Sequence, residues 1–133
     1  MQVSILEQSV AVEGKPQHIT IQDSINLAKK AEKLGYKRFW VSEHHNHPSI
    51  IGTAPEILMA AMATQTKTIR IGSAGIMLPH YSPFKVAEQF RVLEAIAPNR
   101  IDLGLGRAPG SDGRTALALN PNSRNDSEQF PGH

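Results

Sequence analysis

One acid and three histidines follow directly after a short apolar run and form the cluster in this chain most able to do chemistry. The run 39–41 leads into Glu43, His44, His45 and His47. Imidazoles exchange protons near neutral pH because their unperturbed pKa is about 6.5. Loops at the carboxyl ends of parallel strands build the active sites of α/β folds. We therefore predict an enzyme in which this cluster performs general acid–base catalysis, with His44 as the main candidate.

A metal site is the alternative chemistry for these histidines. The spacing of His45 and His47 resembles that of ligands in metal-dependent hydrolases, and His80 is expected near the end of a neighbouring strand. The helical H-E-x-x-H pattern is absent, however, and His47 lies beside Pro48 in a loop, where a solvated side chain is the simpler interpretation. A metal-dependent hydrolase is therefore the less favoured alternative.

Two glycine-rich segments lie where a site would be expected. In the segment 72–79, small side chains would let a flat ligand approach the backbone closely, although bulges or tight packing explain the same glycines. In the segment 104–110, exposed backbone amides and the guanidinium of Arg107 could hold a phosphate. The segment is not a dinucleotide fingerprint, because Pro109 occupies the position of the final glycine. A mobile glycine loop is the alternative there.

The elements that position these residues alternate regularly between strand and helix. Apolar patterns predict strands at 2–7, 38–42, 69–77 and 101–105, with helices beginning at Asp23, Ala54 and Ser82. The helix positions predicted to be buried are Ile25, Ala28, Ala31, Leu34, Ile57, Leu58, Ala61, Met62, Val86, Phe90, Leu93 and either Ile96 or Ala97. Such a βα repeat suits either an open doubly wound sheet or a β/α barrel.

The chain holds four βα units, whereas a complete barrel needs eight and usually about 250 residues. We expect one partial domain, 1–133, that is cut short. Its segment 107–133 is predicted to be an irregular tail, with only a hint of helix at 115–119.

Composition excludes several classes of function. The 14 basic and 12 acidic side chains are scattered, so no nucleic-acid partner is expected. The chain has no cysteine, which rules out disulfides and thiolate chemistry and fits a reducing compartment, most simply the cytoplasm. No signal peptide or bilayer-spanning run is recognisable, so no membrane association is expected.

Four motifs in order resemble those of the bacterial luciferase-like flavin monooxygenase family, in particular its luciferase family oxidoreductase or alkanal monooxygenase-like subgroup. They are Glu43-His44-His45-Asn46, the run 71–79, Val86-Ala87-Glu88-Gln89-Phe90 and the run 99–110. The resemblance covers nearly the whole chain. It implies the N-terminal half of a TIM-type β/α barrel that binds reduced FMN and uses dioxygen to oxidise an organic substrate such as an aldehyde. A separate flavin reductase would supply the reduced FMN.

The same resemblance assigns roles to individual residues. His44 would be the catalytic imidazole, and His45 would support or orient it. Ala74, Gly75 and Ile76 would contact the flavin ring, with a cis peptide bond between Ala74 and Gly75. Arg107 would contact the flavin phosphate.

The length of the chain leaves alternatives open. Without the second half of a barrel, we expect poor flavin affinity and no turnover. The chain could instead be a non-catalytic fragment that associates with itself or with a full-length relative, and the family resemblance also favours a homodimer. A deazaflavin-dependent oxidoreductase on the same barrel differs only in its cofactor.

Overall fold

The computed structural model describes residues 1–122 and contains four successive βα units. The elements are β1 (Ser4–Glu7), α1 (Gln17–Lys33), β2 (Arg38–Val41), α2 (Pro55–Gln65), β3 (Arg70–Ser73), β4 (Ile76–Met77), a 3₁₀ turn (Leu78–His80), α3 (Pro83–Ile96), β5 (Ile101–Asp102), β6 (Leu105–Gly106) and α4 (Gly113–Leu119). Among the helices of this part of the chain, none is both long and apolar enough to cross a membrane.

All strand pairs between the named elements are parallel, as helical crossovers require. One sheet has the order β1-β2-β3-β5, and β4 pairs with β6 in a second, short ladder that continues the paths of β3 and β5. Helix α1 packs on α2 and α2 on α3, so the helices form one layer. A strand order that never reverses, with α1, α2 and α3 in one layer, is the wall of a β/α barrel and not a doubly wound sheet. The α/β half-barrel prediction is confirmed.

The core lies between this helix layer and one face of the sheet. Phe39, Val41 and Ile71 point from the strands into it and are fully buried, as are Met59 and Met62 of α2. The other face of the sheet is open: Leu6 is 57% exposed and Leu105 47% exposed. In a closed barrel this second face would line the interior.

Two predicted core positions are wrong. Leu34 is 76% exposed because α1 ends at Lys33 and Leu34 is already its C-cap. Ile57 is 66% exposed because α2 is apolar on almost every side, and Leu58, Met59 and Met62 are the residues that face the sheet. Of the two alternatives at the end of α3, Ala97 is the buried residue and Ile96 is 44% exposed, so that prediction is confirmed.

The predicted boundaries also change. Helix α1 begins at Gln17, after Pro16, and not at Asp23, whose side chain is instead paired with Lys15. The predicted third strand is divided into β3 and β4, and the fourth into β5 and β6. The segment predicted to be an irregular tail contains α4, for which Asp112 is the N-cap. The rest of that prediction, 123–133, lies outside the described residues.

Candidate active site

Glu43 is the centre of the predicted cluster and is completely buried. It lies just beyond the end of β2, and three donors converge on its carboxylate. Tyr81 Oη donates to Oε1 at 2.5 Å, the ring Nε2 of His45 lies 2.6 Å from the same oxygen, and the backbone N–H of Met77 donates to Oε2 at 2.8 Å. A buried carboxylate needs such partners, because an unpaired one would cost several kcal/mol.

Tyr81 stays protonated in this arrangement. Its burial raises the pKa of the phenol, and the hydrogen bond to the Glu43 carboxylate and the charge of that group raise the pKa further. The hydroxyl is therefore a permanent donor to Glu43. Tyr81 follows the 3₁₀ turn after β4, so the third βα unit supplies both the phenol and the Met77 amide.

The two histidines after Glu43 have different surroundings. The side chain of His45 is only 10% exposed, and its backbone N–H donates to the carbonyl of Gly110 at 2.9 Å. His44 is half-buried, with its ring Nδ1 3.3 Å from the hydroxyl of Ser42. His45 is thus held by a carboxylate, whereas His44 has a neutral and longer contact.

The bond between Ala74 and Gly75 is cis, as the family resemblance implies. The chain packs closely here: a Cβ placed on Gly75 would lie 2.9 Å from the carbonyl oxygen of Gly104. The backbone N–H of Ala74 donates to the carbonyl of Val41 at 2.7 Å, and that of Ile76 donates to Gly104 at 2.8 Å. The cis segment is therefore fixed between β2 and the start of β6.

A shallow groove of about 340 Å³ lies against this segment on the open face of the sheet. Leu6, Trp40, Ala74, Gly75 and Leu105 line it, and most of its surface is apolar. The Trp40 ring covers Gly72, where a Cβ would lie only 2.5 Å from ring carbons. An apolar groove with glycines at its floor is what a flat aromatic ligand requires. A larger groove of about 660 Å³ beside α1 includes no residue of the cis segment or of either glycine-rich segment, so it is not the candidate site.

Arg107 directly follows β6 and is exposed. Within residues 1–122, its guanidinium makes no ion pair or hydrogen bond with another side chain. The loop that carries it is held at Pro109, whose carbonyl lies 2.6 Å from Nε2 of His80, and at Gly110, which accepts from His45. Arg107 is therefore a free cation on an anchored loop, which suits an anionic ligand group.

A second connection joins the histidine loop to α4. The side-chain amide of Asn46 donates to Thr115 Oγ1 at 3.1 Å and to Asp112 at 3.4 Å. Hydrogen bonds from the Thr115 hydroxyl and backbone, and then from the Arg114 backbone, lower the pKa of Asp112 to about 2. Asn46 has a positive φ of 51°, a conformation that asparagine tolerates better than most residues. The loops after β2 and β6 are thus fastened together.

The histidines of the metal alternative are engaged elsewhere. His47 Nδ1 accepts from the backbone N–H groups of Ser49 and Ile50, both at 3.2 Å, so it stabilises its own loop. The rings of His45 and His80 have centroids 5.8 Å apart, but Nε2 of one contacts Glu43 and Nε2 of the other contacts Pro109. Across the described chain, no three His, Asp or Glu residues form a group that could hold a metal ion. The structure does not assemble the predicted ligand set.

Sequence reasoning missed the roles of Tyr81 and His80 as partners of the cluster. The sequence suggests only a metal-ligand role for His80, but its side chain is buried, and within residues 1–122 its Nδ1 has no hydrogen-bond partner. Both residues come from a different βα unit than Glu43. No spacing within the sequence links them, because only the parallel pairing of β2 with β3 brings the two strand ends together.

Comparisons with known proteins agree on one family. The sequence model described as "Luciferase-like monooxygenase" matches residues 1–125. N-acetyl-S-alkylcysteine monooxygenase of Bacillus subtilis (strain 168) is 48% identical over 98% of this chain. The chain spans only 39% of the length of that relative.

Solved structures show the same partial coverage. Apo-MsnO8 superposes with a TM-score of 0.88 at 48% identity, over 94% of this chain and 38% of its own. The oxygenating constituent of 3,6-diketocamphane monooxygenase from Pseudomonas putida, a type II Baeyer-Villiger monooxygenase in complex with FMN, superposes with a TM-score of 0.84 at 25% identity, over 97% and 36% of the two chains. An F420-dependent secondary alcohol dehydrogenase, at 17% identity and a TM-score of 0.67, shares the fold alone.

Proposed function

Because the chain belongs to the luciferase-like monooxygenase family, we propose that it is the N-terminal part of an enzyme that binds reduced FMN and uses dioxygen to oxidise a small organic substrate. The observation that supports this most is the apolar groove at the cis Ala74–Gly75 segment, which leads within two residues to Met77, a hydrogen-bond donor to Glu43. The FMN complex of a related oxygenating subunit favours FMN over a deazaflavin, since the deazaflavin-dependent neighbour shares only the fold.

The residues present fit a flavin. Ala74 and Gly75, which line the groove together with Trp40, would contact the isoalloxazine ring. Ile76 would contribute only its backbone, because its side chain is buried in the core. The exposed guanidinium of Arg107 would bind the phosphate. When bound, reduced FMN supplies the electrons for oxygen chemistry.

The histidines would move the proton that such an oxidation requires. His44 is the proposed catalytic imidazole because it is partly exposed and only weakly held by Ser42. His45, held between Glu43 and Gly110, would orient the loop and support His44. An imidazole suits this task because its ordinary pKa lies near neutrality.

The proposed partners follow from the same assignment. A separate flavin reductase would deliver reduced FMN, and the enzyme would work in the cytoplasm, in keeping with a chain that has no cysteine. A homodimer is proposed because α2 and α3 share an outward apolar surface that includes Ile57, Phe84 and Val92, which are 66%, 75% and 60% exposed. Apolar surfaces of this kind mark protein interfaces.

A second candidate role is favoured by the open sheet face. With Leu6 and Leu105 exposed, the 133-residue chain alone would be a non-catalytic fragment that associates with itself or with a full-length relative. Such a fragment would bind flavin poorly and show no turnover. The intact mass of the protein made in its own cell separates the two roles, because the enzyme requires a mass well above 14.5 kDa.

Anaerobic titration of the native protein with reduced FMN tests the cofactor assignment. We expect Arg107→Ala to raise Kd about 10-fold or more, because a charged hydrogen bond to phosphate contributes roughly 1.5–3 kcal/mol. Arg91→Ala is the control, since Arg91 is an exposed arginine of α3. If wild type, Arg107→Ala and Arg91→Ala bind reduced FMN equally well, Arg107 is not part of the site. If the wild type does not bind reduced FMN at all, the cofactor assignment is wrong.

A further inference from the structure

We infer that Glu43 is a positioning residue that fixes the ring of His45 through Nε2 and ties the histidine loop to the cis segment that would carry the flavin. The inference rests on the proposed function for its catalytic consequence, but its geometric part can be tested without any flavin. Glu43 is fully buried, and its contacts are with His45, Tyr81 and Met77.

The hydrogen bonds of Glu43 divide between its two carboxylate oxygens, and His45 contacts Oε1. Oε2 accepts from the Met77 amide, which belongs to β4 and is held by the ladder with β6. Oε1 accepts from Tyr81, whose hydroxyl remains protonated, and has a second contact with His45 Nε2. Because a carboxylate can only accept, the nitrogen of His45 that faces it must carry a proton.

The state of the His45 ring follows from this contact. With the proton on Nε2 directed at Glu43, a neutral ring has its lone pair on Nδ1. Among residues 1–122, no hydrogen bond occupies that Nδ1. A carboxylate that holds one ring nitrogen sets the tautomer and orientation of that ring, so Glu43 would fix His45 beside the proposed catalytic His44. His44 has only the Ser42 hydroxyl at 3.3 Å, so the carboxylate distinguishes the two neighbouring histidines.

Through the hydrogen bond from the Met77 amide, Glu43 also connects the histidine loop to the cis segment. Met77 lies two positions after Gly75, in the strand that continues from the cis bond. One side chain therefore contacts both the loop after β2 and the strand after the cis segment. A displacement of either would break a buried charged hydrogen bond, so Glu43 sets the position of the histidines relative to the groove.

Nuclear magnetic resonance of isotope-labelled histidine in the native protein tests the geometry. We expect a solvent-protected His45 ring proton on Nε2 that disappears in Glu43→Gln and in His45→Gln. Glu7→Gln is the matched control, because Glu7 is also a carboxylate at a strand end and accepts from Ser9 at 2.8 Å and Ser24 at 3.0 Å, outside the cluster. The signal must persist in that variant.

Two further variants keep the test valid if Glu43→Gln fails to fold. Glu43→Asp keeps the charge but withdraws the oxygens by one methylene, so it should weaken the protection without abolishing it. Tyr81→Phe leaves the carboxylate in place and should preserve the signal. A protected proton that survives Glu43→Gln, one located on Nδ1, or one lost from folded Tyr81→Phe would overturn the inference.

Kinetics then separate the inference from the proposed function. We expect Glu43→Gln to lower kcat about 100-fold, at the low end of what a positioned acid–base group contributes, with Glu43→Asp recovering part of the loss. Glu7→Gln should match wild type. If wild type itself does not oxidise a substrate with reduced FMN, the proposed function fails while the resonance result stands. If Glu43→Gln loses the protected proton yet keeps full kcat, the positioning role fails while the function stands.

Discussion

Gly104 is the position where one added methyl group should damage the candidate site most. A Cβ at Gly104 would lie 2.1 Å from the carbonyl oxygen of Ser73, an approach that no real structure tolerates. Because the colliding atom belongs to the backbone of β3, no side-chain rotation can relieve the contact. Gly104→Ala must therefore move β3 and the segment between β5 and β6 apart by about 1 Å.

The loss in free energy of unfolding can be estimated from the hydrogen bonds that this movement would break. Three hydrogen bonds cross this junction: the Ser73 hydroxyl donates to the Gly104 carbonyl at 2.9 Å, the Gly104 amide donates to the same hydroxyl at 3.0 Å, and Ile76 N–H donates to Gly104 at 2.8 Å. Each contributes about 1 kcal/mol. With roughly 1–3 kcal/mol for overpacking, the free energy of unfolding should fall by about 4–6 kcal/mol.

Denaturant unfolding of the native protein, followed by circular dichroism, measures this loss. The matched control is Gly113→Ala, because a Cβ on Gly113 has nothing within 4 Å and the residue begins helix α4. Gly113→Ala should change stability by less than about 1 kcal/mol and with a favourable sign. A Gly104→Ala protein within 1 kcal/mol of wild type would refute the close packing described for this junction.

Two further predictions concern parts of the fold outside the groove. Burial raises the pKa of Glu32, but hydrogen bonds from the backbone N–H groups of 67–69 outweigh it and lower the pKa from 4.5 to about 2; the resulting stabilisation is present above pH 4.5 and lost as pH falls toward 2. Glu32→Gln should therefore be less stable than wild type at pH 7, with the difference narrowing at pH 3, and a pH-independent difference in denaturant midpoint would contradict this. On the surface of α2 and α3, Ile57→Glu should dissociate the proposed dimer in analytical ultracentrifugation, whereas the exposed Leu34→Glu should not; unchanged sedimentation of the Ile57 variant would exclude that surface as the interface.

Much of the fold could be predicted from periodicity, because apolar residues mark each strand and α1 and α3 each have a regular apolar stripe. The failures have local causes. At Asp23 a residue typical of N-caps lies inside α1, and the helix starts after Pro16 instead. In α2 the apolar residues surround the axis, so no period could show that Ile57 points outward.

The candidate site was predictable in part. The histidine cluster and both glycine-rich segments could be located by residue type, because strand ends carry chemistry in this architecture. The division of the third and fourth strands could not be, since apolar residues continue through both breaks and only the family resemblance indicated the cis bond. The hydrogen bonds of Glu43 to Tyr81 and Met77 join separate βα units, so they depend on strand register, which no local pattern determines.

The most direct test of the proposed enzyme is the formation of oxygenated product from a small organic substrate such as an aldehyde by the native protein supplied with a flavin reductase, FMN and dioxygen, comparing wild type with His44→Ala. His18→Ala is the control, because His18 is an exposed histidine of α1. We expect His44→Ala to lower substrate oxygenation by about 100-fold or more while the affinity for reduced FMN stays within a factor of about two. An unchanged rate of oxygenation in His44→Ala would contradict the role assigned to the histidine cluster, and with it the proposed site.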